Sequence, residues 1–357
     1  MSKNILIIGS EGYLGSRLSP YLKKYGYNIT GMDTGFFMSG NLTEPDDHIF
    51  IQKDARAIQA NDIEHFDIVI MLAGISNDPF GHMTAKQIYD PTREYAIKIA
   101  AICKQLKIKF IYPSSASIYG LGSNKLLTEK DSVSPQTPYS LNKLQVEESL
   151  ALIADEDFSP IALRLGTIYG ISPRIRFDVV INMLCGLAIT TKKVTLNSNG
   201  EAWRPHLHIL DACEAFRCCI NWYNEGKGLT VFIVGQNEDN YQIIEIAKII
   251  HKNILGSELI FLNNDTGEDT NNLIEDRKIQ DGVDKRTYKV SFNKIHQELP
   301  DFKCSWNVKE GIKDLLTSLE NINLNSEIFN KKDFYRLQQI EYLHKNNKID
   351  DDLFWIK

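Results

Sequence analysis

Tyr139 and Lys143 have the spacing in this chain that most directly suggests acid–base chemistry. On a helix they occupy positions i and i+4, so both side chains lie on one face. A phenol has a reference pKa of about 10, and an ammonium about 4 Å away contributes on the order of 4 kcal/mol at an effective dielectric constant near 20. Because about 4 kcal/mol corresponds to three pKa units, this lysine could turn the tyrosine into a base. Taken alone, such a pair is most often only a surface pair.

A cluster of serines lies upstream of this pair. Residues 110–120 read Phe-Ile-Tyr-Pro-Ser-Ser-Ala-Ser-Ile-Tyr-Gly, and Ser115 precedes Tyr139 by 24 residues. A hydroxyl at the end of a strand can hydrogen-bond the alcohol whose proton a tyrosine base removes. Ser115, Tyr139 and Lys143 are therefore the candidate catalytic residues.

A GxxGxxG run follows the apolar segment Asn4–Ile8 and opens a predicted helix. Its glycines permit a tight turn and the close approach of a pyrophosphate, whose charge is received by free backbone N–H groups at the helix N-terminus. A glycine-rich turn after a strand can also be only a turn. The run predicts a dinucleotide site formed by Gly9, Gly12, Tyr13, Leu14 and Gly15.

Asp33 ends the second predicted strand, 24 residues after Gly9. A carboxylate at this place accepts hydrogen bonds from a ribose 2′-hydroxyl and repels a 2′-phosphate, which favours NAD over NADP. The alternative is a helix cap or a solvated loop residue. Asp54, after the third strand, could reach the adenine amine, although a loop aspartate can equally be solvated. Combined with the serine, tyrosine and lysine in this order, these residues indicate NAD-dependent oxidation of an alcohol.

The elements that must position these residues alternate in the first half of the chain. Largely apolar strands separated by amphipathic helices indicate a parallel sheet covered on both faces. We therefore predict an α/β fold, a Rossmann-type doubly wound parallel sheet over residues 1–172. Residues 173–357 are predicted to form mainly a smaller mixed α/β substrate-binding lobe and a C-terminal helical extension, with the chain returning to the first domain near 203–235. The predicted strands are Asn4–Ile8, Asn28–Met32, His48–Gln52, Asp67–Leu72, Lys109–Tyr112, Ile161–Leu165, Lys193–Leu196 and Leu229–Val234. The predicted helices are Tyr13–Tyr25, Thr84–Leu106, Pro138–Ile153, Phe177–Leu187, Asp211–Tyr223, Ile243–Lys252 and one that begins near Asp333. A polar stretch covers Asn263–Lys285.

Composition excludes several classes of protein. The 357 residues are 43% hydrophobic and 24% charged, which is typical of a globular chain. The formal net charge of −6 offers no positive excess for nucleic acid or an anionic membrane. No apolar run approaches the roughly 18 residues of a membrane span, and the first one is too short for a signal peptide, so we expect a cytoplasmic protein. The six cysteines include no CxxC pair, so we expect thiols and no metal site.

Six motifs follow one another along the chain: Gly9/Gly12/Gly15, Asp33, Leu72-Ala73-Gly74, Ser114–Gly120, Tyr139 with Lys143, and Leu163–Gly170. In this order they resemble the extended short-chain dehydrogenase/reductases, specifically the NAD-dependent nucleotide-sugar epimerase/dehydratase family, over about residues 3–320. The resemblance implies a Ser-Tyr-Lys triad of Ser115, Tyr139 and Lys143, with Lys143 also binding the nicotinamide ribose. It further implies that Ala73 and Gly74 line the NAD site.

The same resemblance suggests where a nucleotide-sugar substrate binds. Arg204, in Trp203–His208, corresponds to an arginine that meets the substrate diphosphate, a role that suits its forked guanidinium. Arg286 aligns loosely with another phosphate-binding position, and Thr167 stands where many members have a substrate-contacting asparagine. Arg174, Arg176 and Asn182 are further candidates, for which a solvated or salt-bridged side chain is the alternative. His206 and His208 alternate on a strand, and we expect His208 to be buried and hydrogen-bonded rather than a metal ligand.

The residues after Ser115 restrict the reaction. Family 4,6-dehydratases carry an Asp-Glu pair where this chain has Ala116-Ser117, so dehydration is disfavoured. We expect an epimerase that oxidises the sugar C4 hydroxyl and reduces the 4-keto intermediate. A 4-dehydrogenase or a 4-reductase remains the alternative, and a non-catalytic dinucleotide-sensing regulator is a further one. A homodimer through Thr84–Leu106 and Pro138–Ile153 is expected by resemblance, although packing onto the sheet explains their apolar residues equally well.

Overall fold

A computed structural model describes residues 2–46, 48–76, 84–223, 228–262 and 286–356. The predicted polar stretch Asn263–Lys285 lies outside these residues. Within them, no helix is both long enough and apolar enough to cross a bilayer. The elements of the first part are β1 (Asn4–Ile8), α1 (Gly15–Lys24), β2 (Asn28–Asp33), β3 (Ile49–Gln52), α2 (Ala60–Ile63), β4 (Ile68–Met71), α3 (Ala85–Ile88), α4 (Asp90–Gln105), β5 (Lys109–Ser115), β6 (Leu121–Leu127), α5 (Pro138–Ile153) and β7 (Ile161–Leu165).

The remaining elements begin immediately after β7. They are β8 (Thr167–Tyr169), α6 (Val180–Thr191), β9 (Lys193–Leu196), β10 (Trp203–His208), α7 (Ile209–Asn221), β11 (Thr230–Val234), β12 (Asn240–Gln242), α8 (Ile243–Asn253), β13 (Glu258–Phe261), β14 (Thr287–Val290), α9 (Asn293–Glu298), α10 (Val308–Asn321), α11 (Ser326–Phe329) and α12 (Arg336–Lys345).

Seven of these strands form one parallel sheet in the order β11-β7-β5-β4-β1-β2-β3. In β1, Ile5 and Ile7 pack into the core on one face while Leu6 and Ile8 pack into the core on the other. Burial on both faces explains why these strands are continuous apolar runs. The order reverses direction between β1 and β4, which places a crevice at the carboxyl ends of the strands. The predicted Rossmann-type fold is confirmed.

Smaller sheets accompany the main one. The strands β12, β10 and β8 form a three-stranded sheet, while β13 pairs with β9 and β14 with β6. These strands carry the substrate-side candidates, because β10 places Arg204 and β8 begins at Thr167.

Of the helices predicted over Thr84–Leu106 and from near Asp333, the first is divided in the structure and the second is present as α12. The segment Thr84–Leu106 is divided into α3 and α4, because Pro91 occupies the first turn of α4 and proline cannot continue a helix through its own position. The helix expected from Asp333 ends at Lys345, and Asn347 adopts a φ of +51° just beyond it. The chain then turns back toward the main sheet.

Candidate active site

The turn between β1 and α1 leaves no room for side chains. Gly9 has a φ of +95°, and a Cβ added there would lie 2.7 Å from the Cα of Ala73. A Cβ on Gly15 would lie 2.7 Å from the Cα of Ser10. Only glycine therefore lets this turn pack against the end of β4 and lets a diphosphate approach the backbone at the start of α1. The loop fits the dinucleotide expected from its sequence.

Tyr13 and Leu14 direct their side chains into the protein core. The Tyr13 hydroxyl donates to the Gly170 carbonyl at 2.8 Å and accepts from the Asn182 amide at 3.1 Å. Leu14 packs against the hydrophobic cores of both parts of the chain. Any contact of these two residues with a dinucleotide is therefore made by their backbone, and their side chains hold the loop against the second lobe.

Asp33 lies at the carboxyl end of β2, beside the glycine turn. Its carboxylate accepts the backbone N–H of Glu11 at 3.1 Å and that of Gly35 at 2.8 Å. Burial raises the pKa of this carboxyl, and the two N–H groups oppose the shift. A cleft of about 750 Å³ opens here. Predicted cofactor residues among those lining it are Gly9, Gly12, Asp33, Asp54, Ala73 and Gly74.

Asp54 lines the same cleft, but its carboxylate is engaged by a neighbour. It accepts the backbone N–H of Arg56 at 2.8 Å and caps the short helical turn Ala55–Ala57. It also forms an ion pair with the Arg56 guanidinium at 2.6 Å. Asp54 therefore lies in the cleft where an adenine is expected, and both of its carboxylate oxygens are already bonded to Arg56.

A buried ion cluster beneath the glycine turn is absent from the sequence predictions. Glu11 is 5% exposed, and its carboxylate pairs with the Arg174 guanidinium and, at 3.1 Å, with Nε2 of His48. The hydrogen bond to Glu11 raises the pKa of His48. Arg174 also donates to the Met38 carbonyl at 2.8 Å. The salt-bridged alternative considered for Arg174 is therefore the one observed.

The helix α5 presents Tyr139 and Lys143 on one face. Thr137 caps it by accepting the Ser140 N–H at 3.2 Å, and Pro138 starts its first turn. The Lys143 ammonium is 5.7 Å from the centroid of the Tyr139 ring and donates to the Pro113 carbonyl at 2.6 Å. Burial lowers the pKa of Lys143 to about 7, an effect that Glu147 partly opposes.

Ser115 ends β5, two residues after the carbonyl that anchors Lys143. Its hydroxyl accepts the Ser117 N–H at 3.2 Å and donates to the Ser117 hydroxyl at 2.9 Å. The half-buried side chain thus caps the helical turn Ala116–Tyr119. The strand β5 and the docked helix α5 therefore supply all three predicted catalytic residues.

A buried network supports this arrangement from behind. Arg164 forms an ion pair with Glu147 at 2.7 Å, and these side chains are 7% and 5% exposed. Arg164 also donates to the Tyr119 hydroxyl at 2.7 Å, and the Ser114 hydroxyl donates to Glu147. The network joins β5, α5 and β7. An arginine within the otherwise apolar run Ile161–Leu165 was the sequence signal for such a buried partner.

The side chain of Arg204 contacts the backbone of Arg286, the other arginine predicted to bind phosphate. The Arg204 guanidinium donates to the backbone carbonyls of Trp203, at 2.9 Å, and of Arg286. It also lies 5.4 Å from the centroid of the Tyr288 ring. Thr167 is half-buried on β8, which pairs in parallel with β10.

Two other substrate candidates have different surroundings. Arg176 forms an ion pair with Asp178 at 2.8 Å and donates to the Ser76 hydroxyl. Asn182 is fully buried, and its amide donates to the Tyr13 hydroxyl and to the Arg176 carbonyl. Its side-chain oxygen accepts the Gly170 N–H at 3.0 Å. Asn182 thus holds the Gly170 turn, and its role as a substrate ligand stays a prediction.

The histidines of β10 are interior residues. His208 accepts the Leu210 N–H at 3.4 Å and lies 4.6 Å from the Trp306 ring, as expected for a buried, hydrogen-bonded side chain. Burial lowers the pKa values of His206 and His208 to about 3. No group of three or more His, Cys, Asp or Glu side chains suited to a metal occurs among the described residues.

Comparison with known proteins places these features in context. A dTDP-D-glucose 4,6-dehydratase of Dictyostelium discoideum is 25% identical over 71% of the chain, and the bifunctional polymyxin resistance protein ArnA of Wigglesworthia glossinidia brevipalpis is 24% identical over 70%. The matches span 62% and 41% of these relatives' own lengths.

Solved structures share the fold. The NAD-dependent NDP-hexosamine 5,6-dehydratase TunA matches with a TM-score of 0.74 and 18% identity, covering 89% of this chain and 97% of that one. The UDP-glucuronic acid 4-epimerase of Bacillus cereus, in complex with UDP-glucuronic acid and NAD, matches with a TM-score of 0.71 and 21% identity over 89% and 99%. The family model of NAD dependent epimerases and dehydratases matches residues 5–235. The chain therefore belongs to the NAD dependent epimerase/dehydratase family, and its cofactor is NAD.

Proposed function

We propose that this protein is a nucleotide-sugar epimerase that oxidises the C4 hydroxyl of its sugar and reduces the 4-keto intermediate on the opposite face. In this proposal, residues 1–172 hold the cofactor and residues 173–357 mainly hold the sugar nucleotide. The observation that supports it is the docking of α5 on β5: the Lys143 ammonium, 5.7 Å from the centroid of the Tyr139 ring, donates to the carbonyl of Pro113, two residues before Ser115.

The cofactor would be held by the glycine turn and by the ends of β2 and β4. Gly9, Gly12 and Gly15 leave backbone space for its diphosphate, Asp33 accepts its ribose hydroxyls, and Ala73 and Gly74 line its path. When bound, NAD supplies a hydride acceptor in its oxidised form and a hydride donor in its reduced form.

Tyr139 takes the proton of the C4 hydroxyl as the ketone forms and returns it as the alcohol is restored. A positive charge on Lys143 favours the phenolate that this step requires. Ser115 donates a hydrogen bond to the same sugar oxygen. Arg204 and Arg286, which lie together, bind the diphosphate of the substrate, while Thr167 and Arg176 are additional contacts in this proposal.

The surroundings of residues 116 and 117 favour epimerisation over dehydration. Elimination of water needs an acid and a base next to the sugar. Ala116 is buried and has no titratable group, and the Ser117 hydroxyl is bonded to Ser115. A 4-dehydrogenase or 4-reductase uses the same triad, and it differs by consuming added cofactor in every cycle.

A panel of UDP-, dTDP-, GDP- and CDP-sugars tests the proposal. Purified protein is incubated with each, with and without added NAD, and products are followed by NMR. An epimer formed without net change of cofactor supports the proposal, whereas a 4-keto-6-deoxy product, or turnover only with stoichiometric cofactor, contradicts it. Tyr139→Phe should bind NAD yet lose about a hundredfold to ten-thousandfold in rate. Tyr342→Phe changes an exposed tyrosine of α12 and is the control.

We also propose a cytoplasmic homodimer assembled through α4 and α5. These helices already lie side by side, with Arg93 donating to Gln145 at 2.9 Å. Leu141 and Leu152 of α5 are 45% and 87% exposed and would be covered by a second copy. All six cysteines are free thiols, which agrees with a reducing compartment. Light scattering should report a dimer, and Leu152→Glu should yield monomers.

A further inference from the structure

The segment after α12 returns to the cofactor cleft; we call residues 346–356 the strap. We infer that the strap is part of the cofactor site: it forms the outer wall at the adenosine end and keeps NAD bound from one turnover to the next. This assignment concerns residues outside the 5–235 range of the family match. Its consequence for catalysis rests on the proposed epimerase function.

The strap contacts the loop that follows β2. The Trp355 indole N–H donates to the Thr34 carbonyl at 2.7 Å, and its ring is 5.3 Å from that of Phe36. From α12, the Gln339 amide donates to the Phe36 carbonyl at 3.0 Å. Thr34 and Phe36 directly follow Asp33, the expected ribose ligand. The strap is thus attached to the loop that borders the adenosine end of the cleft.

A second set of contacts joins the strap to the loop after β3 and to α3. The Arg56 guanidinium donates to the Leu353 carbonyl at 2.9 Å and lies 3.4 Å from the centroid of the Phe354 ring. The Gln87 amide donates to the Asp351 carbonyl at 3.1 Å. Arg56 is also the partner of Asp54, which lines the cleft. The strap therefore bridges the loops after β2 and β3 and the helix α3.

Leu353 is the strap residue that faces the cleft. It is 5% exposed, lines the cleft and packs with Phe36 and Ile340 in a small separate core. Its φ of +60° lies in the left-handed region, which is costly for a leucine. The Leu353 N–H donates to the Asp350 carbonyl at 2.9 Å, and the next N–H donates to the Asp350 carboxylate at 2.8 Å. The turn thus holds an unfavourable backbone conformation that puts an apolar side chain into the cofactor site.

The strap contacts the loops after β2 and β3 and the helix α3, at the adenosine end, whereas Ser115, Tyr139 and Lys143 belong to β5 and α5. A wall at that place hinders departure of the dinucleotide and leaves the approach to the catalytic residues from the second lobe unchanged. Slow release of NAD suits a reaction that restores its cofactor in each cycle. The same slow release would limit an enzyme that must exchange NAD after every turnover.

The double variant Leu353→Ala/Trp355→Ala tests the inference. NAD that co-purifies with the protein is quantified after denaturation, and its dissociation is timed by exchange with isotopically labelled NAD. The double variant should release NAD at least about tenfold faster than the wild type, which corresponds to about 1.4 kcal/mol. Leu255→Ala, which shortens a 97% exposed leucine, should leave the rate unchanged.

Equal dissociation rates for the wild type and the double variant, within about twofold, would overturn the inference. If the double variant does not fold, Trp355→Phe removes the indole N–H bond while keeping an aromatic ring near Phe36, and it should still accelerate release by roughly twofold to tenfold. An unchanged rate in that variant also counts against the strap. Failure of the epimerase proposal is distinguishable, because it appears as absent turnover with NAD retained normally.

Discussion

Replacing Lys143 by methionine tests whether its charge is what makes Tyr139 a base. The ammonium lies 5.7 Å from the centroid of the Tyr139 ring. With the ring centroid taken as the centre of the phenolate charge and an effective dielectric constant of about 20, two unit charges at that separation attract by about 3 kcal/mol. This energy corresponds to about two pKa units. Because burial lowers the pKa of Lys143 to about 7, the lysine is only partly charged at neutral pH, and two units are the upper limit of its effect. The pH of half-maximal kcat/KM should therefore rise by up to about two units in Lys143→Met, with up to about a hundredfold loss at neutral pH that is recovered as the pH rises.

The assay measures kcat/KM across the pH range at saturating NAD, because Lys143 is also expected to contact the nicotinamide ribose. Lys109→Met is the matched control. Lys109 lies at the other end of β5, burial lowers its pKa to about 8, and its ammonium also donates to a backbone carbonyl, that of Ile220 at 3.1 Å. A Lys143→Met profile that is lower but has an unchanged midpoint would refute the electrostatic reasoning, as would an equal shift in the control.

The same substitution has an opposite effect on stability. Burial lowers the pKa of Lys143 to about 7, so between this value and the ordinary lysine value of about 10.4 the unfolded chain binds a proton that the folded chain does not. Lys143 therefore lowers the unfolding free energy most below pH 7, and it lowers the unfolding free energy less as the pH rises. Lys143→Met should be more stable than the wild type at pH 6, by on the order of a few kcal/mol, with a smaller difference at pH 9. Urea unfolding without NAD measures this, and a destabilised variant at pH 6 contradicts it.

Three further predictions concern the expected cofactor site and the buried network behind the triad. Gly15→Ala should abolish NAD binding by calorimetry, since its Cβ has no space. Gly26→Ala is the control: a Cβ there meets nothing within 4 Å, so its φ of +81° costs stability but should leave NAD binding intact. Equal binding by both variants would contradict the role of the glycine turn. Glu147→Ala leaves Arg164 buried without its counter-charge and should lower the unfolding free energy by about 3 to 5 kcal/mol in urea; a loss below about 1 kcal/mol would show that the pair does not hold the site together. Asp33→Asn should lower the preference for NAD over NADP in direct binding, and an unchanged ratio would exclude a charge-based selection.

The parts of the fold predicted from the sequence are those that depend on local pattern. The strands Asn4–Ile8 and Ile161–Leu165 have the predicted bounds, because a parallel strand buried on both faces is a continuous apolar run. The position of the cleft, beside the glycine turn and Asp33, was predictable for a similar reason. The turn and the second strand are close in the sequence and are separated by a single helix.

Contacts between distant segments were not predictable in this way. Glu11 carries no local sign of its partner Arg174, which is 163 positions away. The strap is the clearest example, because from the sequence Leu353, Phe354 and Trp355 belong only to a short acidic tail with no assigned role. Their partners are loops of the main sheet, and the left-handed residue Asn347 that ends the helix is identifiable only from the backbone.

The central claim, that a hydride leaves sugar C4 and returns to it, is tested most directly by isotope transfer. The nucleotide sugar that the panel identifies is prepared with deuterium at C4 and incubated with the NAD-loaded enzyme in ordinary water. The account predicts an inverted product that keeps its deuterium at C4. Loss of the deuterium to solvent, or an inversion at another carbon that leaves C4 unoxidised, would contradict it.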